Sequence, residues 1–208
     1  MDKLSVRFIV NGLIFKILFD HNVFHLKREN VDLIYSFCYD DLCAFSEKDP
    51  AGRKDLNYIA MCYPSYFSVL SYRIAHFLHE NGLFLDAKII SENAKLKTGI
   101  EIHPSAMIGR RFVIDHGIGT VIGETSVIGN DCYILQSVII GSSGIANNPT
   151  GKRHPVIGNN VEIGAFVNLL GSIKIGNNVK ISPRVTIKNS IPDDSSVLKI
   201  TENVLLKR

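Results

Sequence analysis

Two short stretches of this 208-residue chain combine residue types that carry protons with residue types that hold anions. Asp115-His116 lies in Ile114-Asp-His-Gly-Ile-Gly-Thr-Val-Ile122, and Arg153-His154 closes Gly151-Lys-Arg-His-Pro155. Imidazole changes charge near neutral pH, which suits it to proton transfer. Guanidinium is a fork that matches a carboxylate or phosphate. The other reactive side chains read more plainly. His103 precedes Pro104 at a turn and reads as structural. His21, His25, His76 and His79 fall on or beside helical stretches, as surface or internally satisfied groups. Cys38, Cys43, Cys62 and Cys132 show no Cys-x-x-Cys metal spacing, and four cysteines in a chain this long do not form a disulfide framework. No metal is expected.

The two stretches interrupt a repeat. Ile102, Ile108 and Ile114 are six apart, and so are Ile122, Ile128, Ile134 and Ile140 after one step of eight. Ile157, Ile163, Leu169, Ile175, Ile181 and Ile187 continue at six. A helix repeats every 3.6 residues and an isolated strand every two, so strict sixes exclude both. Three short strands per coil of about eighteen residues form a triangular prism, the hexapeptide kind of β-helix. The markers then stack inside it. Small or aliphatic residues recur four places after the marker, Cys132 among them, which assigns that thiol to the core. Gly, Asn and Asp at 129–131, 158–160 and 176–178 suit corners that need positive φ. A sandwich of strands is the alternative, but its strands recur at about 8–12 residues. Irregular points of a solenoid are where function concentrates. Here these are the eight-residue step beside Asp115-His116 and the polar loop 141–155 with its basic tip.

Composition divides the chain in two. The first 98 residues hold 15 of the 18 aromatics and 3 of the 16 glycines. Apolar spacings of three and four predict helices over 6–19, 31–45, from Tyr63-Pro64 to Asn81-Gly82, and over 83–96. The expected fold class is α + β: a helical N-terminal domain (1–98), a left-handed parallel β-helix (99–192) and a C-terminal tail (193–208). The aromatics are expected to fill the core and subunit interfaces. Net charge is only +3 and scattered, which excludes a nucleic-acid footprint. No run approaches the roughly 20 apolar residues of a membrane span. The N-terminal apolar run, broken by Asn11 and Lys16, is no signal peptide. A reduced, cytoplasmic protein is expected.

From about residue 48 to 192 the motifs resemble serine O-acetyltransferases. They are Ile102-His-Pro-Ser-Ala-Met-Ile-Gly, Asp115-His-Gly-Ile-Gly, Ile122-Gly-Glu-Thr-Ser-Val-Ile, Ile134-Leu-Gln-Ser-Val and Gly151-Lys-Arg-His-Pro. Lys48-Asp-Pro-Ala51 and Ser71-Tyr-Arg-Ile-Ala-His76 resemble that family's helical domain. The resemblance implies acetyl transfer from acetyl-CoA to the hydroxyl of L-serine, giving O-acetylserine, a cysteine precursor. It casts His116 as general base and Glu101, where the family usually has Asp, as the carboxylate that orients it. Asp49 and Asp115 match the residues that hold the serine ammonium group, and Arg153 and His154 those that hold its carboxylate. Gly164, Ala165 and Lys180 match the acetyl-CoA region between neighbouring prisms. The assembly implied is a homotrimer, or a dimer of two trimers.

The sequence departs from the family in three places. The helical part is shorter than in longer members, which use it to join trimers; loop 141–154 is longer; and the C-terminus reads Leu206-Lys-Arg208. The family's tail ends in Ile and inserts into cysteine synthase, so no such docking through this C-terminus is expected. Other readings are an acetyltransferase acting on a sugar in polysaccharide or envelope assembly, and a non-catalytic trimeric scaffold. Two carboxylates with an Arg-His pair suit an amino acid and have no purpose for a neutral sugar.

Overall fold

The computed structural model describes residues 3–148 and 150–199. Five helices come first: α1 (Lys3–Asp20), α2 (Arg28–Lys48), α3 (Leu56–Cys62), α4 (Pro64–Glu80) and α5 (Phe84–Thr98), with a 3-10 turn at Pro50–Gly52. Local chemistry sets their ends. Asp55 accepts the N–H groups of Asn57 and Tyr58 at the start of α3. Pro64 opens α4, where a missing N–H is harmless. Gly99 ends α5 at φ +69°. The four expected helices form, each close to its predicted bounds. The seven-residue α3 is too short to show a period and was not foreseen.

Short parallel strands follow, stacked as three sheets. The first holds β1 (Glu101–Ile102), β4 (Val121–Ile122), β7 (Ile139–Gly141), β10 (Asn168–Leu170) and β13 (Thr186–Ile187). The second holds β2 (Met107–Ile108), β5 (Val127–Ile128), β8 (Val156–Ile157) and β11 (Lys174–Ile175). The third holds β3 (Val113–Ile114), β6 (Tyr133–Ile134), β9 (Glu162–Ile163), β12 (Lys180–Ile181) and β14 (Ser196–Val197). The chain visits the sheets in rotation, three strands to a coil, and forms the expected left-handed β-helix. All the six-spaced markers are buried in its interior.

Register records each irregularity. Val121 pairs with Ile139 and Asn168 with Thr186, eighteen residues on. Glu101 pairs with Val121, twenty on, because of the eight-residue step. Ile139 pairs with Asn168, twenty-nine on, so the loop is extruded without disturbing the stack. Lys180 pairs with Ser196, sixteen on. The third sheet therefore runs past Pro192 into the segment expected to be tail. Residues 200–208, on which the cysteine-synthase expectation rests, lie outside the described residues.

The glycines proved to have a different reason from the one expected. The corner residues at positive φ are mostly not glycine: Arg111, Asp131, Asn160, Asn178 and Asp194 stack at one edge, and His116, Ser137, Phe166 and Arg184 at another. Gly129 is needed for space instead. A Cβ there would meet Gly158 O of the next coil at 2.6 Å. Asparagine completes this edge, since the Asn130, Asn159 and Asn177 side chains each accept a backbone N–H from the coil below.

The helices are bolted to the first coil by buried polar contacts. Arg73 of α4 donates twice to Asp41 of α2, at 2.8 and 3.0 Å, and also to the carbonyls of Ile108 and Gly109. Asp41 in turn accepts the Phe112 N–H at 2.9 Å. Tyr72 donates to Ala106 O at 2.6 Å and Ser91 to Ile102 O at 2.7 Å. Of the N-terminal aromatics, Phe45, Tyr66 and Tyr72 are core, whereas Phe8, Phe15, Phe19 and Phe24 are exposed. No helix among the described residues is long and apolar enough to cross a membrane.

Candidate active site

Asp115 and His116 stand at the edge between the third and first sheets, just after β3. The Asp115 N–H donates to Ile134 O at 2.8 Å, and its carboxylate accepts the Tyr133 hydroxyl at 2.6 Å. His116 sits at φ +59°, a corner conformation that turns its ring outward; the side chain is 71% exposed. Its Nε2 lies 3.8 Å from the Asp115 carboxylate. Asp49 arrives from the end of α2. Its carboxylate accepts the Ala51 N–H at 2.8 Å and the Tyr63 hydroxyl at 2.7 Å, and the residue is buried.

The two tyrosines tie these aspartates into one neighbourhood. Burial, then Asp49, and more weakly Asp115, push the Tyr63 phenol up to about 12. Burial, then Asp115, and more weakly Asp49, push up the Tyr133 phenol. Each phenol therefore feels both carboxylates, and each stays a protonated donor at neutral pH. Sequence reasoning missed both residues in this role. Tyr133 carried a signal, as one of only three aromatics after residue 98.

Arg153 and His154 stand at another edge, between the first and second sheets, where the extruded loop rejoins the prism. The Arg153 guanidinium pairs with Glu124. This bond holds the Glu124 carboxyl below its usual range. His154 is buried and accepts the Thr125 N–H at Nδ1, at 3.1 Å. Its ring fills the space of a missing side chain, because a Cβ on Gly123 would overlap Nε2, Cδ2 and Cε1. Burial, followed by the Arg153 and Lys152 charges, holds the imidazole below its usual pKa. Gly123, Glu124 and Thr125 form the Gly-Glu-Thr segment of the sequence, whose function in this half was not foreseen.

The remaining expected residues lie as follows. Glu101 is on β1 in the first sheet, its carboxylate 2.5 Å from Lys95 Nζ of α5. No contact joins it to His116 among those of the described residues. Gly164 and Ala165 follow β9 at the His116 edge, two coils further along. The closeness of Pro183 N, 2.6 Å from a Cβ at 164, requires glycine there. Lys180 is exposed and pairs with Glu162 at 3.1 Å. Tyr133, Gly164 and Lys180 line a groove of about 380 Å3 along the third sheet. Tyr133, which lines this groove, is also the residue that holds Asp115. Cys132 is fully buried, and burial pushes its thiol up to about 11, as suits a core residue.

The arrangement offers an exposed imidazole with the Asp115 carboxylate beside it, a second tyrosine-held carboxylate at Asp49, and a groove that Tyr133 shares. The Arg-His pair belongs to a second edge of the same prism, one face of the first sheet away.

Comparison with known proteins gives a consistent result. Residues 154–189 match the family described as bacterial transferase hexapeptide (six repeats). The chain is 40% identical over 161 residues to a serine acetyltransferase of Synechococcus elongatus, covering 77% of this chain and 64% of that relative's length. It is 38% identical over 184 residues to one of Bacillus licheniformis, covering 88% and 78%. In structure it is similar to serine acetyltransferase isoform 3 of Entamoeba histolytica in complex with cysteine. The TM-score is 0.78 at 34% identity, over 96% of this chain and 72% of that one.

Proposed function

The chain belongs to the serine acetyltransferase family, and on that premise we propose that it moves an acetyl group from acetyl-CoA to the hydroxyl of L-serine. The observation that carries this reading is the pairing of opposite charge types. Asp49 and Asp115 suit an ammonium group, and Arg153 and His154 suit a carboxylate, which together describe an amino acid.

A serine hydroxyl is a poor nucleophile until a base takes its proton. His116 takes that proton at its ring nitrogen. The oxygen attacks the thioester carbon, the carbon–sulfur bond breaks, and the imidazolium returns the proton to the CoA sulfur. No protein nucleophile is required. The Asp115 carboxylate lies 3.8 Å from the ring. Glu101 takes up the orienting role only by exchanging Lys95 for His116. Acetyl-CoA lies in the groove past Gly164, Ala165 and Lys180, its thioester at the Tyr133 end. No metal takes part.

Because the two charge types occupy different edges of one prism, they converge when the Arg-His edge of a neighbouring copy meets the His116 edge. A closed ring of three copies satisfies this at every site, so the assembly is a homotrimer, or two such trimers. The four cysteines are free thiols, which suits the cytoplasm.

The test is CoA release with L-serine beside a panel of sugar acceptors, for wild type and H116A. Serine turnover that falls by about 10²–10⁴ in H116A supports the reading. Turnover of sugars but not serine would overturn it, and no CoA release with any acceptor, in wild type as in H116A, would favour a scaffold.

A further inference from the structure

The Arg153-His154 half of the site is shaped by a hydroxyl that belongs to neither residue. Thr125 Oγ1 accepts the backbone N–H of Arg153 at 3.0 Å and that of His154 at 3.1 Å. It also lies 2.8 Å from His154 Nδ1. The Thr125 N–H lies 3.1 Å from the same nitrogen. An amide N–H only donates, so Nδ1 must be an acceptor, and the hydroxyl, with both lone pairs taken by amides, must donate to it. Two donors on Nδ1 leave the ring proton on Nε2. That nitrogen carries no hydrogen bond among the described residues. The two contacts at Nδ1 fix which way round the ring sits, since a carbon in that place could accept neither.

We propose that Thr125 is a positioning residue for substrate binding: its hydroxyl seats the end of the loop and fixes His154 as an Nε2–H donor. The proposal rests on the reading that Arg153 and His154 hold the serine carboxylate. The sign of the interaction follows from it. An Nε2–H donates to a carboxylate, whereas the other tautomer would face the carboxylate with a lone pair and repel it. Arg153 alone does not ensure attraction, because Glu124 already engages its guanidinium. Thr125 acts through His154 and touches no reacting atom.

The experiment compares wild type, T125V and T125S in the full-length chain. The valine keeps the shape and the backbone N–H but lacks the hydroxyl; the serine keeps the hydroxyl. Steady-state kinetics are measured against L-serine and acetyl-CoA, with the ring nitrogens of His154 followed by nitrogen-15 NMR. T125V is expected to raise the KM for serine about tenfold or more, since two amides lose their acceptor and Nδ1 loses one of its two donors. The KM for acetyl-CoA should stay within about twofold, the scale of an uninvolved site. T125S should remain close to wild type. The wild-type spectrum should show Nε2–H; in T125V the unseated loop end lets the ring leave the residue-125 N–H, and a mixture with the Nδ1–H form should appear. Wild-type serine affinity in T125V, an equal loss in T125S, or Nδ1–H in the wild type would each overturn the proposal. If the wild type does not turn over serine, the reading of the reaction fails separately. The ring spectrum then decides alone, and an unchanged tautomer in T125V overturns the clamp.

Discussion

His154 and His103 give the site a dependence on acidity whose sign can be worked out. Burial lowers both imidazole pKa values, helped by Arg153 and Lys152 at His154 and by Lys88 at His103. Above about pH 6.5 both rings are neutral folded or unfolded. As pH falls below that value, the unfolded chain takes up protons that the folded chain refuses, so stability is lost towards the lower folded pKa values. The urea midpoint should therefore decline on acidification from neutral pH, and H154Q should flatten the slope. Carboxylates such as Glu124, held low by Arg153, enter only at lower pH. At this scale the sequence marked the charged residues by their motifs but not their partners. Tyr63 reaches back to Asp49, Tyr133 to Asp115, and Thr125 forward to Arg153 and His154. The Thr125 contacts depend on which coil lies above which, a register that the extruded loop hides from any local pattern.

Among the elements, α4 shows how the helical part is held to the prism. Arg73 is almost fully buried and satisfies Asp41 and two carbonyls of the first coil. Replacing it with methionine would leave Asp41 charged and unpaired in the interior, a loss of about 3–5 kcal/mol. Urea unfolding at fixed protein concentration should show that loss, and R73M/D41N should recover part of it. The six-residue period made the prism readable, and the 3.6-residue period made the longer helices readable. Arg73 was not, because a charged residue on a helix reads as solvent-facing until its buried partner is known. The glycines were read for their freedom at positive φ. Gly129 instead serves the close approach of coils, which only the stacked structure reveals.

For the whole molecule, the separation of the two charge types between edges means that the proposed site is completed only in an assembly. Co-expressed H116A and R153A chains should form mixed rings in which some sites draw both intact residues. Activity should reappear above that of either variant alone, whereas strictly one-chain sites would stay inactive. The stack of coils also makes the prism a graduated scale. Strands of adjacent coils are about 4.8 Å apart, so Gly164 and Ala165 lie about 10 Å beyond His116 along the axis. Duplicating residues 121–138 would add one graduation while keeping every corner in phase. The chain should still give a β-rich circular dichroism spectrum, yet lose turnover by more than about a hundredfold through misplacement of the reacting groups. Lengths in such a body come in whole steps. Its site can be recut by changing side chains or loops, but a reach of half a coil is not on the scale.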